Sequence, residues 1–323
     1  MNFFFKIKHY ALPYLKFSST YNSVPISKDE SPNTDYWVTG YSSNIIYKKW
    51  KIENGIPLGL YNNAWAGSLK KRTHISALCE YFFALNELGE NHKQPLIVEF
   101  ILENLSEGNN LKTNKHYLFW KTYLYEKNQN YFVHGMGQGQ LLSLLVRANL
   151  QGYKKDLSIE IEKVLESFKL DFNHENGFVS SDNSLVIQEY PHLYDTYPDV
   201  LNGWILGLIG LYDAINAGFG DDEIEIIFKK SLKNLSDKLT FYDYGFWSLY
   251  NLPKSYKNIA SIHYHDQHIA FSSALGLLTN NAILIKFSQK MAKYKKNVFY
   301  RFLSFSTKIF ANMIKYKRIY KFK

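Results

Sequence analysis

The feature that most limits the fold of this chain is a succession of apolar stripes at helical spacing. In "THISALCEYFFALNELGE" the residues Ile75, Leu78, Phe82, Leu85 and Leu88 fall on one stripe, and Gly89 supplies a stop. "QPLIVEFILENLSEG" follows, with Pro95 suited to a first helical turn and Gly108 past the end. "GQLLSLLVRANLQG" carries Leu141, Leu144, Leu145 and Ala148, and "DLSIEIEKVLESF" carries Leu157, Ile161, Val164, Leu165 and Phe168, with Asp156 placed to cap. "VLNGWILGLIGLYDAINAG" is apolar on most sides, which marks a buried helix. "DDEIEIIFKKSLKNLSDKL" is charged outside the stripe of Ile224, Phe228, Leu232, Leu235 and Leu239, which marks an outer one. "DQHIAFSSALGLL" and a basic tail complete the series.

Greasier and more charged helices therefore alternate. This pattern predicts an all-α fold, an (α/α) toroid of helical hairpins, with an irregular helical bundle as the competing architecture. Short β-hairpins are expected at the N-terminus, around Glu53, Asn54 and Gly55, and in the cleft loops. The expected divisions are 1–64 as an N-terminal extension, 65–285 as the toroid and 286–323 as a basic amphipathic tail.

Charge supports treating the tail separately. The last acid is Asp266, and twelve Lys and Arg residues lie between Lys286 and Lys323. Without them the formal +9 of the whole chain becomes a negative balance, so the body is not expected to bind nucleic acid. The tail is suited to an anionic membrane surface or an acidic polymer, or to being a solvated terminal helix. No apolar run reaches membrane-spanning length, and "MNFFFKIKHYALPYLKF" lacks a cleavage signal, although an uncleaved targeting element remains open. The expected location is cytoplasmic or peripheral to a membrane. Cys79 is the single cysteine, which excludes intramolecular disulfides and cysteine metal clusters and fits a buried thiol.

Three polar, aromatic segments precede the greasy helices that begin near Gln138, Val200 and Asp266. They are "YFVHGMGQGQ", "VIQEYPHLYDTYP" and "YDYGFWSLYNLPKSYKNIASIHYH". If the inner helices run parallel, all three meet at one end, where free N–H groups and partial positive charge favour an anionic ligand. Glu189, Asp195 and Asp199 offer carboxylates for a glycoside hydrolase, or for solvation and capping. In "HYHDQHI" His265 and His268 are three apart with Asp266 beside them, but no H-E-x-x-H pattern or cysteine partner accompanies them, so no metal is expected and Asp266 reads as a helix cap with imidazoles hydrogen-bonded near a cleft. The 26 Tyr, 23 Phe and 6 Trp suit either an aromatic core or an aromatic-lined cleft.

In order, "GMGQGQLLSLLVRA", "EYP", "VLNGWILGLIGLYD", "LTFYDYGFWSLYNL" and "YHDQHI" resemble the C-terminal catalytic region of the D-glucuronyl C5-epimerases, over roughly 75–278. These enzymes convert glucuronate to iduronate in heparan-type (heparosan-like) polymers. The resemblance implies an (α/α) toroid, no organic cofactor, and a glucuronate-containing polysaccharide as substrate. It implies catalytic roles for Glu189, Tyr190, Tyr250 and Tyr264, with Tyr264 opposed to Glu189 or Tyr190 and with Tyr250 orienting the substrate. Candidate substrate-binding residues are Asn202, Gln138, Gln140, Arg147, His265, His268 and Lys254. For Arg147 a buried ion pair is an equal alternative, and for the histidines a structural role. Pro253 and Lys254 stand where the family carries an arginine, and residues 1–64 are too few for the family's β-rich domains. A polysaccharide lyase and a non-catalytic glycan-binding module are the rival functions. Homodimerisation is a further candidate association.

Overall fold

The computed structural model describes residues 14, 51–58, 74–123, 131–153, 156–182, 184–191, 199–252 and 257–320. Among these the chain is mostly helical, with a few two-stranded antiparallel ribbons and no closed barrel. The predicted N-terminal hairpin is present: β1 (Lys51–Glu53) pairs with β2 (Ile56–Leu58) across Asn54 and Gly55, both at positive φ.

Four helical hairpins follow among the described residues. They are α1 (Ile75–Glu87) with α2 (Gln94–Asn104), α3 (Gly135–Leu150) with α4 (Ser158–Glu166), α5 (Leu201–Asn216) with α6 (Asp222–Lys238), and α7 (Ile262–Leu278) with α8 (Ala282–Lys296). A ninth helix, α9, covers Val298–Tyr320. The odd-numbered members of the four pairs are the inner ones. On α3 and α5 nearly every residue is buried, whereas α6 buries a stripe including Ile224, Ile227 and Leu235 and exposes its charges. Gly89 stands just past α1 at positive φ, as expected of a stop.

The inner helices lie parallel. Near their starts, the Asn202 amide of α5 is 3.7 Å from the sulfur of Met136 on α3. Near their ends, Arg147 of α3 pairs with Asp213 of α5 at 3.2 Å. Between these points the backbones touch: a Cβ on Gly139 would sit 2.5 Å from the Leu206 carbonyl oxygen, so only glycine permits this approach. Helix α1 runs alongside α3 in the same sense, with His74 beside His134 at one end and Phe83 beside Arg147 at the other. Each outer helix returns antiparallel. In α7/α8, for instance, Gly276 meets Leu284 near the turn, and His265 meets Met291 far from it.

The other three ribbons lie at the end where the inner helices start. β3 (Ser106–Asn110) pairs with β4 (Lys115–Phe119), β5 (Thr122–Tyr123) with β6 (Tyr131–Phe132), and β7 (Leu249–Asn251) with β8 (Asn258–Ile259). Two helix starts differ from expectation. α3 begins at Gly135 rather than near Gln138, because His134 caps it by accepting the Gly137 amide at 3.0 Å. α7 begins at Ile262, and its cap is Ser261 rather than Asp266; Asp266 lies inside the helix, paired with Lys295 at 2.5 Å. The expected start of the tail at Lys286 falls inside α8, which buries Leu284, Phe287 and Met291. No helix among the described residues is long and apolar enough to cross a membrane.

Candidate active site

The segment leading into α5 is held by backbone bonds on both sides. The Gln188 amide donates to the Phe178 carbonyl at 2.8 Å, and the Gln188 carbonyl accepts from Gly135 at the start of α3 at 2.9 Å. This fixes Glu189 and Tyr190 over the N-terminal end of α5. Glu189 packs on Gly203 so closely that a Cβ there would lie 2.6 Å from its Oε2. A carboxylate over the first turn of a helix meets the unpaired amides and positive pole of that helix.

The second segment is β7. An isolated bridge between Val200 and Asn251 ties this strand to the cap of α5, which brings Tyr250 beside Glu189. The Tyr250 hydroxyl donates to Glu189 Oε1 at 3.3 Å and lies 3.5 Å from the Tyr190 hydroxyl. Tyr264, in the first turn of α7, completes the group; its ring centroid is 4.6 Å from that of Tyr250. Phe132 of β6 closes one side, 6.3 Å from the Tyr190 ring. The three tyrosines are partly exposed, whereas Glu189 is buried.

Burial governs the electrostatics. It pushes the Glu189 carboxyl up to about 7, against the lowering effect of hydrogen bonds from Tyr190 and Tyr250. Tyr190 and Tyr250 are held well above the ordinary phenol value, first by burial and then by the Glu189 charge. Tyr264 is raised to about 12 for the same reasons, although its hydrogen bond to Tyr250 opposes the rise. Near neutral pH the site therefore holds three protonated phenols around one carboxyl that readily gains or loses a proton.

The other expected site residues are placed unevenly. Asn202, in the first turn of α5, and Gln140, in the second turn of α3, are buried, and each keeps a side-chain carbonyl oxygen without a hydrogen-bond partner. Gln138 is engaged in the scaffold: it accepts from the Trp120 amide and donates to the Leu118 carbonyl and the Ser167 hydroxyl. Arg147 is not brought to the cluster. It lies at the opposite end of α3 in the buried pair with Asp213. Asp199 is paired with Lys238 at 2.8 Å and accepts from Gln188. Lys254 and Asp195 lie outside the described residues.

His265 and His268 form a buried network behind Tyr264. His265 stacks on Trp247 with centroids 3.6 Å apart, and its Nε2 meets the Met291 carbonyl at 3.1 Å. A carbonyl only accepts, so Nε2 carries the proton and Nδ1 accepts from Ser248. The Ser248 hydroxyl then accepts from Nδ1 of His268 at 2.8 Å. Burial pushes His265 well below its ordinary value and His268 down to about 3, so both rings are neutral. Ser248, which nothing in the sequence singled out, joins β7 to α7. It stands just before β7, two residues from Tyr250, and no motif in the sequence marks it. His134 and His74 were also missed as caps. His74 stands immediately before the apolar run that begins at Ile75, the place where a side-chain acceptor is needed, whereas His134 precedes the Gly- and Gln-rich start of α3, which carries no such signal.

Two comparisons with known proteins cover this part of the chain. A model of the family described as D-glucuronyl C5-epimerase C-terminus matches residues 109–293, which contain every member of the tyrosine–carboxyl cluster. A D-glucuronyl C5-epimerase from Caenorhabditis elegans is 26% identical over 180 residues, covering 49% of this chain and 28% of that protein. The chain thus matches under a third of that relative's length.

Proposed function

The chain belongs to the D-glucuronyl C5-epimerase C-terminus family, and from that premise we propose that it inverts C5 of D-glucuronate to L-iduronate within a polysaccharide. The observation that carries this is the Glu189 carboxyl, buried under tyrosine hydroxyls and raised to about 7. Removing the C5 proton builds charge next to a group that is already anionic, so the reaction needs a base poised near the working pH and donors around the carboxylate. A phenol held at about 12 is protonated at rest, so it holds a proton to deliver and does not serve as the resting base.

In this scheme Glu189 takes the C5 proton, and the electron pair passes into the substrate carboxyl group. Tyr264 delivers its hydroxyl proton to C5 from the other face. Tyr250, hydrogen-bonded to both Glu189 and Tyr264, passes a proton from the new Glu189 acid to Tyr264 and restores the resting site. Tyr190 donates to the substrate carboxylate together with the amides at the helix ends. Asn202 and Gln140 orient the sugar through their free carbonyl oxygens, and Lys254 supplies a cation. Closure of the four hairpins into an (α/α) toroid around this end, and homodimerisation, belong to the same proposal.

Incubation with glucuronate polymers, sulfated and unsulfated, in heavy water tests the reaction. Deuterium at C5 with iduronate resonances supports it. An ultraviolet-absorbing unsaturated uronate would identify a lyase instead. Tight binding with no exchange would identify a glycan-binding module.

A further inference from the structure

The corner between α8 and α9 presents large apolar side chains and cations together. Val298, Phe299 and Phe302 are 60%, 66% and 65% exposed, and Ile309, two turns further along the same face, is 44% exposed. Lys293 and Lys296, in the last turn of α8, are also exposed. The opposite face of α9 is anchored to the body. Arg301 and Ser304 are buried, and Lys308 donates to the Asn258 side chain at 3.1 Å and to the Ile259 carbonyl at 2.6 Å. The apolar face is therefore held outward by a fixed helix. In sequence, the acid-free stretch continues through Lys315, Lys317, Arg318, Lys321 and Lys323.

We propose that this corner is a docking surface for an anionic lipid bilayer, with Phe299 and Phe302 entering the interface and Lys293 and Lys296 meeting the headgroups. Exposed apolar patches of this kind require a covering partner. The chemistry selects the partner: phenyl rings and aliphatic branches without a polar tip suit hydrocarbon, and the charges that the last turn of α8 and α9 themselves carry are all positive, opposite to those of acidic phospholipids. An acidic polysaccharide would satisfy the lysines but gain nothing from Val298 and Ile309. This inference is independent of the proposed reaction, because the corner contains none of the residues assigned to the active site.

The test is cosedimentation of the full chain with vesicles of phosphatidylcholine alone or mixed with phosphatidylserine. The chain should partition to the mixed vesicles, and added salt should release it. Phe299→Ser with Phe302→Ser should weaken partitioning by about tenfold or more, and Lys293→Gln with Lys296→Gln by several-fold. Phe299→Trp, which keeps an apolar ring, should shift its emission to shorter wavelength on vesicle addition. Circular dichroism melts check that each variant is folded, and C5 exchange on a soluble polymer should be unchanged. Vesicle binding that survives the double Phe substitution, or an emission of the Phe299→Trp variant that does not shift, would overturn the proposal. So would a loss confined to polymer affinity, or a change from dimer to monomer without any vesicle binding.

Discussion

The Tyr250 hydroxyl donates to Oε1 of Glu189 at 3.3 Å, joining a β-strand and a helix-entry segment that are 61 residues apart. That bond is one of two that hold the Glu189 carboxyl down against the upward push of burial. Tyr250→Phe removes it, so the Glu189 carboxyl should rise further, by about one unit. The acidic limb of the kcat/KM profile, expected to rise near pH 7 in the native enzyme, should move upward by the same amount in whatever activity remains. A pH–rate profile measures this, and an unmoved midpoint would remove Glu189 from the role of base.

Glu189 should also cost stability. A carboxyl whose folded value is raised keeps its proton in the native state while the unfolded chain releases it. Stability contributed by this group is therefore full below about 4.5, falls as pH rises toward 7, and is level above that. Glu189→Gln should remove the penalty. The variant should be more stable than the native chain at pH 8, by on the order of 1–3 kcal/mol, and the gain should vanish near pH 4. Thermal melts across this range check it, and C5 exchange should be lost in the same protein.

Gly203 should act through position alone. A methyl group there would meet Oε2 of Glu189 at 2.6 Å and its Cβ at 2.8 Å, so the carboxyl must move. Gly203→Ala should lower kcat by about tenfold to a hundredfold with little change in KM. The alanine favours the helix by up to about 1 kcal/mol, so the fold should persist. Unchanged kcat would show that the Glu189 position is not critical.

The far end of α3 should affect stability without affecting the reaction. Arg147 and Asp213 are both buried, and burial alone pushes the Asp213 carboxyl well above its ordinary value. Arg147→Ala leaves that carboxyl unpaired and should cost about 3–5 kcal/mol in denaturant unfolding. Replacing both residues with apolar ones of similar volume should cost much less. KM for the polymer should stay at the native value in the folded variants.

How much of this was legible in the sequence depended on the range of the interactions. The alternation of greasy and charged stripes located the helical pairs, because burial period is a local property. The parallel inner helices, and hence the meeting of Glu189, Tyr190, Tyr250 and Tyr264, required the glycine contact of Gly139 with Leu206, which only the folded pair of helices reveals. Caps were misjudged where a stronger-looking polar residue stood nearby. Asp266 is the stronger-looking cap beside Ser261, and the glycines of "GMG" point to a helix start near Gln138 although the first turn of α3 runs through them. Sequence alone does not decide between ligand and ion pair for Arg147, because its partner Asp213 lies 66 residues away. The expectation of hairpins in the cleft loops covers the ribbon of β3 and β4 only in general terms, because Ser106–Asn110 is polar and lacks the alternating apolar pattern that would locate it.

The most direct test of the opposed pair is deuterium incorporation at C5 by Tyr264→Phe, compared with the native chain on the same glucuronate polymer. Phenylalanine keeps the ring that packs on Tyr250 and removes only the oxygen that carries the proton. The native chain should place deuterium at C5 and yield iduronate, and the variant should lose inversion by about a hundredfold or more. Inversion and exchange by Tyr264→Phe at the native rate would contradict the assignment.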